Sequence, residues 1–331
     1  MVTIYDVAEK CNKSVATVSY VLNGKAAAHK ISEKTSQLIL STASQMGYVS
    51  KTVSPSGGKR VGLYWVQENP EITFTSVVEG LNAAISSVNY PVSPIIRPYS
   101  LGHLKDDREL FSSVAYDSAV VFGANDEDLL YLSRHKPRIP VVLVNREISG
   151  YTSVSINDRE AAEIAARHAL SKTKDDIWLV VSPVVFYGMD NRGKNFISVC
   201  EAGGASMDGH VLYSETTIEA GYKLGLEILK KGPRAGVIVC ICDAVAYGIL
   251  SAINEFGSFD NDLQIMALSA GPKPLFAHCV PSLTVVDLKM NELAERSFMI
   301  ACDLAHYQDM DPQQIILHPT LICRQSCPVS I

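Results

Sequence analysis

Thr3-Ile4-Tyr5-Asp6-Val7-Ala8-Glu9-Lys10-Cys11-Asn12-Lys13-Ser14-Val15-Ala16-Thr17-Val18-Ser19-Tyr20-Val21-Leu22-Asn23 holds two short helical patterns separated by a break. Ile4, Val7, Ala8 and Cys11 recur at helical spacing, and Thr3 followed by Asp6 predicts a capping box at the start of the first helix. Asn12-Lys13 interrupts the pattern. Ser14 is suited to cap a second helix whose inward face is Val18, Val21 and Leu22. Two short helices joined in this way form a helix-turn-helix. Asn23-Gly24 ends the second, and Ser32-Glu33 starts a third with the apolar stripe Leu38, Ile39, Thr42, Ala43 and Met46, closed at Gly47 by a residue type that favours helix C-termini.

The chain has 331 residues, 47% of them apolar, which predicts two or three packed domains. Its net charge of −6 hides a division. Residues 1–60 carry eight Lys and Arg against Asp6, Glu9 and Glu33, so the head is +5 and the remainder −11. A basic head is drawn to phosphates while an acidic body is repelled by them. No apolar run approaches the roughly 20 residues of a membrane span, and the N-terminus lacks a signal-peptide pattern, so a cytoplasmic protein without membrane contact is expected. The eight cysteines include Cys240 with Cys242 and Cys323 with Cys327, but no CxxC pair and no histidine partner. Reduced thiols are the expectation, with no metal and no cofactor.

Residues 50–60 are rich in Ser, Gly and Pro and read as a linker between a head at 1–49 and a body at 61–331. In the body, apolar runs at 61–66, 119–122, 141–144, 177–181, 235–240, 264–268, 283–286 and 321–324 predict strands. Amphipathic stretches around Phe74 to Val88 and at 127–134, 159–170, 190–202, 217–230, 244–255 and 290–306 predict helices between them. Buried strands alternating with helices imply parallel sheets covered on both faces. The fold class is therefore an all-α three-helix head joined to an α/β body of two doubly wound parallel-sheet lobes. The first lobe is placed at about 61–156 plus 287–318, the second at about 157–286 plus 319–331. A ligand is expected in the cleft at the carboxyl ends of the strands.

The strings VTIYDVAEK, SVATVSYVLNGK, ISEKT and Gly47-Tyr48 resemble the head of the LacI/GalR family of bacterial transcription regulators. The likeness continues through Val142-Leu143-Val144-Asn145-Arg146 and Val154-Ser155-Ile156-Asn157-Asp158. Arg192-Gly193-Lys194-Asn195-Phe196 resembles the family's Arg-x-x-Gly-Phe, with Asn195 in place of glycine. Cys242-Asp243-Ala244-Val245-Ala246-Tyr247-Gly248 resembles its Asn-Asp-x-x-Ala-x-Gly, with Cys242 in place of asparagine. The resemblance implies a periplasmic-binding-protein-like body that takes a small-molecule effector, a sugar or related metabolite. It also implies a homodimer on a pseudo-palindromic double-stranded DNA operator.

Residue by residue, the resemblance makes Val15, Ala16 and Tyr20 the base-reading positions. Val15 and Ala16 can offer only apolar contact, such as to thymine methyls. Thr3, Ser14, Thr17, Ser19, Asn23 and His29 are suited to phosphate contacts. For the effector, the resemblance points to Phe74 for stacking and to Asn145, Arg146, Arg192 and Asp243 for polar contacts. Ser269 follows the strand at 264–268 in a segment where many members carry a carboxylate that this chain lacks. Each has a structural counter-reading: helix packing for Val15, capping for the small polar groups, and a salt bridge or cap for Arg192 and Asp243. The linker departs from the family, having no leucine to wedge into a minor groove and a Gly57-Gly58 pair that disfavours a hinge helix. Little operator bending is therefore expected.

The resulting expectation is an effector-responsive regulator, in the first instance a repressor. The alternative is a cytoplasmic solute-binding sensor with degenerate DNA binding. An enzyme is not expected, because GxSxG, HExxH and GxGxxG are all absent. Residues 188–195 nearly spell a phosphate-binding loop, but Asn195 stands where Ser or Thr must hold magnesium.

Overall fold

The computed structural model describes residues 3–22, 26, 29–46, 58–68, 71–183, 187–256, 263–306 and 310–329. Asn23, Gly24, Gly47, Tyr48 and the linker segment 50–57 lie outside the described residues.

The head consists of α1 (Ile4–Cys11), α2 (Val15–Leu22) and α3 (Glu33–Gln45). Thr3 and Asp6 form the capping box, with the Asp6 N–H donating to Thr3 Oγ1 at 3.3 Å and the Thr3 N–H donating to Asp6 Oδ2 at 2.7 Å. Asn12 ends α1 in the left-handed region, which asparagine tolerates better than most residues. Ser14 Oγ accepts the Thr17 N–H at 3.1 Å at the start of α2. Val7, Ala8, Cys11, Val18, Val21, Ile39 and Ala43 meet in one small core. Leu38, expected in the buried stripe of α3, is 47% exposed. The stripe it was assigned to is narrower, because Ile39 and Ala43 alone face α1 and α2 from the middle of the helix.

The body starts with β1 (Lys59–Val66), α4 (Glu71–Ser87), β2 (Val92–Tyr99), β3 (Ser118–Phe122), α5 (Asp126–Arg134), β4 (Val141–Val144) and β5 (Thr152–Ile156). The chain then crosses to a second unit through α6 (Asp158–Leu170), β6 (Ile177–Val181), α7 (Tyr187–Ala202), β7 (Val211–Tyr213), α8 (Ile218–Lys231), β8 (Gly236–Cys240), α9 (Asp243–Phe256), β9 (Leu263–Ser269), α10 (Lys273–His278) and β10 (Thr284–Asp287). It returns with α11 (Met290–His306) and β11 (Gln314–Leu317), and crosses a last time to β12 (Thr320–Ile322).

The two six-stranded sheets have the orders β11-β5-β4-β3-β1-β2 and β12-β10-β9-β8-β6-β7. Every pair is parallel except β10 with β12. Each sheet reverses direction beside its first strand, between β1 and β3 and between β6 and β8. In doubly wound sheets this switch point opens a crevice at the carboxyl ends of the strands. The first strand begins at Lys59, so Lys59 and Arg60 belong to β1 and not to a linker.

The apolar pattern did not predict four strands: β5 is interior but alternates Ser153 and Ser155 with apolar residues, and the other three lie at sheet edges. β2 contains Pro94 and Pro98, which an edge strand can carry because one side of its backbone needs no ladder partner. β7 and β11 are three and four residues long, so their apolar runs are too short to mark a strand, and of their side chains Leu317 alone is buried. The segment 188–195 lies inside α7, so its glycines shape a helix and no phosphate loop exists there.

In both units a helix pair closes on a glycine. A Cβ at Gly80 of α4 would stand 2.1 Å from the Asn291 carbonyl oxygen of α11, and one at Gly248 of α9 would stand 2.2 Å from the Ile218 carbonyl oxygen of α8. Neither backbone can yield without opening the interface. Gly248→Ala is expected to lower the stability of the second unit by roughly 1–3 kcal/mol. Urea unfolding followed by the fluorescence of Trp178, on β6, checks this; an unchanged midpoint would contradict the close approach.

Candidate functional site

On the head, α2 turns Val18 and Val21 into the core and leaves Ala16 and Tyr20 exposed one turn apart. Val15 is half-buried against the core, so packing claims part of its surface. Thr17 and Ser19 are half-buried, while Thr3, Ser14 and His29 are exposed. The hydroxyls of Thr3 and Ser14 both serve as caps, and Ser14 Oγ also lies 2.8 Å from Thr17 Oγ1. The Tyr20 ring stacks on His29, with centroids 3.5 Å apart and planes 12° from parallel. The stack restrains Tyr20 on the exposed face of α2. Asn23, the remaining head candidate, lies outside the described residues.

In the body, a cavity of about 110 Å³ opens between the carboxyl edges of the two sheets. Trp65 is the next-to-last residue of β1, Phe122 ends β3, Val144 ends β4 and Ile156 ends β5. The opposite wall is Tyr187 to Met189 and Arg192 of α7, with Ala270 after β9. Asn145 and Arg146 line it directly after β4.

Three of the expected effector residues meet at this cavity. Asn145 adopts φ 57°, and its side-chain oxygen accepts the Ile156 N–H at 3.0 Å, tying the end of β4 to the end of β5. Arg146 pairs with the Asp126 carboxylate, and its guanidinium lies 4.5 Å from the Tyr187 ring centre across the cleft mouth. Arg192 is 7% exposed and donates from Nη1 to Asp158 Oδ1 at 2.8 Å. Burial raises the Asp158 carboxyl above its ordinary value, and the Arg192 charge and hydrogen bond offset only part of that rise. The Arg192 Nε–H is buried and has no hydrogen-bond partner.

The other three do not line the cavity. Phe74 packs behind Trp65 with ring centres 5.2 Å apart, so Trp65 takes the aromatic position that Phe74 was expected to fill. Asp243 is fully buried at the start of α9. Its Oδ2 accepts from Ser269 Oγ at 2.8 Å, the Ala270 N–H at 2.9 Å and the Gly271 N–H at 2.7 Å, and its Oδ1 accepts the Ala244 N–H at 2.8 Å. Burial raises its carboxyl, and these donors act against the rise. Asp243 and Ser269 thus clamp the end of β9 to the start of α9, the structural alternative weighed for Asp243. Trp65, Phe122 and Tyr187 were missed, although the first two lie at the carboxyl ends of strands on either side of the switch point, where a ligand crevice is expected.

Among the described residues, no group of three His, Cys, Asp or Glu side chains is placed to hold a metal ion. All eight cysteines are free, and burial pushes the Cys242 thiol up to about 12. No helix among the described residues is long and apolar enough to cross a membrane.

Residues 3–51 match the family described as bacterial regulatory proteins, lacI family, and residues 166–327 match a periplasmic binding protein-like domain. The head is that of the LacI family of bacterial regulators. A curated relative, the HTH-type transcriptional repressor PurR of Escherichia fergusonii, is 23% identical over 98% of this chain and 97% of its own length. Among solved structures, a LacI family transcription regulator from Clostridium acetobutylicum matches with a TM-score of 0.75 at 24% identity, over 81% of this chain and all of that one. The lac repressor dimer bound to operator and the anti-inducer ONPF matches with a TM-score of 0.69 at 15% identity, over 99% of both chains. With a helix-turn-helix head of that family and a periplasmic-binding-protein-like effector body of two parallel-sheet lobes, the chain is a DNA-binding transcriptional regulator.

Within the effector body, the Arg192–Asp158 pair makes a direct prediction. Removing one partner of a buried ion pair strands the other charge. Arg192→Met is expected to cost roughly 3 kcal/mol or more, and adding Asp158→Asn to recover most of it. A double-mutant cycle in urea measures this; additive losses would show that the two side chains do not act as a pair.

Proposed function

We propose that this regulator is a homodimeric repressor of the cytoplasm, without catalytic activity, whose affinity for a pseudo-palindromic operator is set by a small molecule held between the lobes. The observation that carries this reading is the presence, in one chain, of an exposed reading face on α2 and a cleft whose two walls are joined by three chain crossings. Ligand contacts to both walls change the balance between open and closed lobes, and in a dimer that changes the spacing of the two heads.

In the head, Ala16 and Tyr20 read base edges, with Val15 adding apolar contact from its exposed part. Thr3, Ser14, Thr17, Ser19, Asn23 and His29 lie at or beside phosphates, aided by the basic charge of the head. In the body, Asn145, Arg146 and Arg192 are the polar effector contacts and Trp65 is the stacking surface. Asp243, Ser269 and Phe74 support the walls from behind.

A random-duplex selection with the full-length protein tests this reading. A palindromic consensus is expected, with affinity that falls steeply as salt rises. Tyr20→Ala is expected to cost roughly 1–3 kcal/mol of discrimination at the base position it reads and to broaden the selected consensus there. Retained duplexes with no shared sequence would reject the operator-binding reading in favour of a sensor, and an unchanged consensus with Tyr20→Ala would remove Tyr20 from base recognition.

A further inference from the structure

The polar side chains around the cleft are unevenly matched to a sugar. Arg146 and Arg192 face the cavity, and among the described residues that line it there is no carboxylate; the nearest ones, Asp126 and Asp158, are paired with these two arginines. The side-chain oxygen of Asn145 already accepts the Ile156 N–H. Each hydroxyl of a sugar carries a proton that needs an acceptor once water is excluded, and an unmet O–H is costly to bury.

Arg192 presents the opposite demand. Its Nη1 is held by Asp158, yet its Nε–H is buried without a partner in a residue only 7% exposed. Buried donors are almost always satisfied, so this one calls for an acceptor supplied from outside the chain. The adjoining wall is aromatic, with Trp65 and Phe122 ring centres 5.5 Å apart.

Building on the effector-binding role proposed above, we infer that the effector is a planar aromatic carboxylate, its ring against Trp65 and Phe122 and its carboxylate accepting the Arg192 Nε–H. A carboxylate gives a charge-assisted hydrogen bond to the guanidinium and asks for no acceptor in return. The ring gains from the apolar wall, which a hydroxylated ligand would instead lose to desolvation. Arg146, already paired with Asp126 and lying over Tyr187, closes the mouth above it.

Thermal melts and tryptophan fluorescence of the full-length protein test the assignment with benzoate and 4-hydroxybenzoate as probes, against benzamide, ribose, glucose and cellobiose. The carboxylates are expected to raise the Tm in a concentration-dependent way and to change the emission, with the emission change lost in Trp65→Phe. Benzamide, which keeps the ring and loses the charge, is expected to bind ~10-fold or more weakly. The sugars are expected to give no shift. Arg192→Gln should abolish the preference for carboxylate over amide. Asp158→Asn breaks the same ion pair and should keep that preference, which separates ligand recognition from a folding defect.

Stabilisation by the sugars alone, equal binding of benzamide and benzoate, or no response to either carboxylate overturns the inference. Operator affinity measured with the same probes separates the two levels. Sugar-dependent operator binding would retain the regulator and discard the aromatic carboxylate. Carboxylate binding that leaves operator affinity unchanged would retain the ligand class and discard the regulatory role.

Discussion

Parallel strands need connections that carry the chain back to the same end of the sheet, and that requirement arranges everything else in the body. It sends all carboxyl ends of a sheet to one edge. In this chain two such edges face each other, because the crossings from β5 to α6, from β10 to α11 and from β11 to β12 tie the sheets together beside them. The cavity follows from that arrangement. Trp65 and Phe122 reach it because they lie at the carboxyl ends of the two strands flanking the switch point, and Arg192 reaches it from the first turns of α7. The Arg192–Asp158 pair joins α7 to the first residue of α6, so the cation facing the cavity is anchored next to a crossing.

The central strands were legible because their burial leaves an uninterrupted apolar run. β4, β6 and α11 match their expected bounds residue for residue. The exception among the central strands is β5, where Thr152, Ser153 and Ser155 break the run; of the edge strands β12 was legible, while β2, β7 and β11 were not, since an edge exposes one side and tolerates proline, as at Pro94 and Pro98. The head was legible at its caps, where Thr3 with Asp6 and Ser14 with Thr17 each need only three residues of sequence to be recognised. Leu38 was misplaced because periodicity assigns a face without saying how wide the opposing surface is.

The site was legible in part. Asn145, Arg146 and Arg192 carried their family positions into the cleft. Asp243 did not, because a carboxylate at the start of a helix can satisfy four donors of its own chain as readily as a ligand, and motif spacing does not distinguish the two. Trp65 shows the complementary case. Its role depends on being the residue near the end of a strand beside the switch point, which becomes visible only when strand order is known.

In the proposed regulator, head and cleft are one thermodynamic device, in which coupling is reciprocal. The most direct test is the affinity of the protein for its cleft ligand, read from tryptophan emission, with and without saturating operator duplex. The account predicts that operator shifts ligand affinity by roughly 5–150-fold, and that ligand shifts operator affinity by the same factor. Equal ligand affinities for free and operator-bound protein would contradict it.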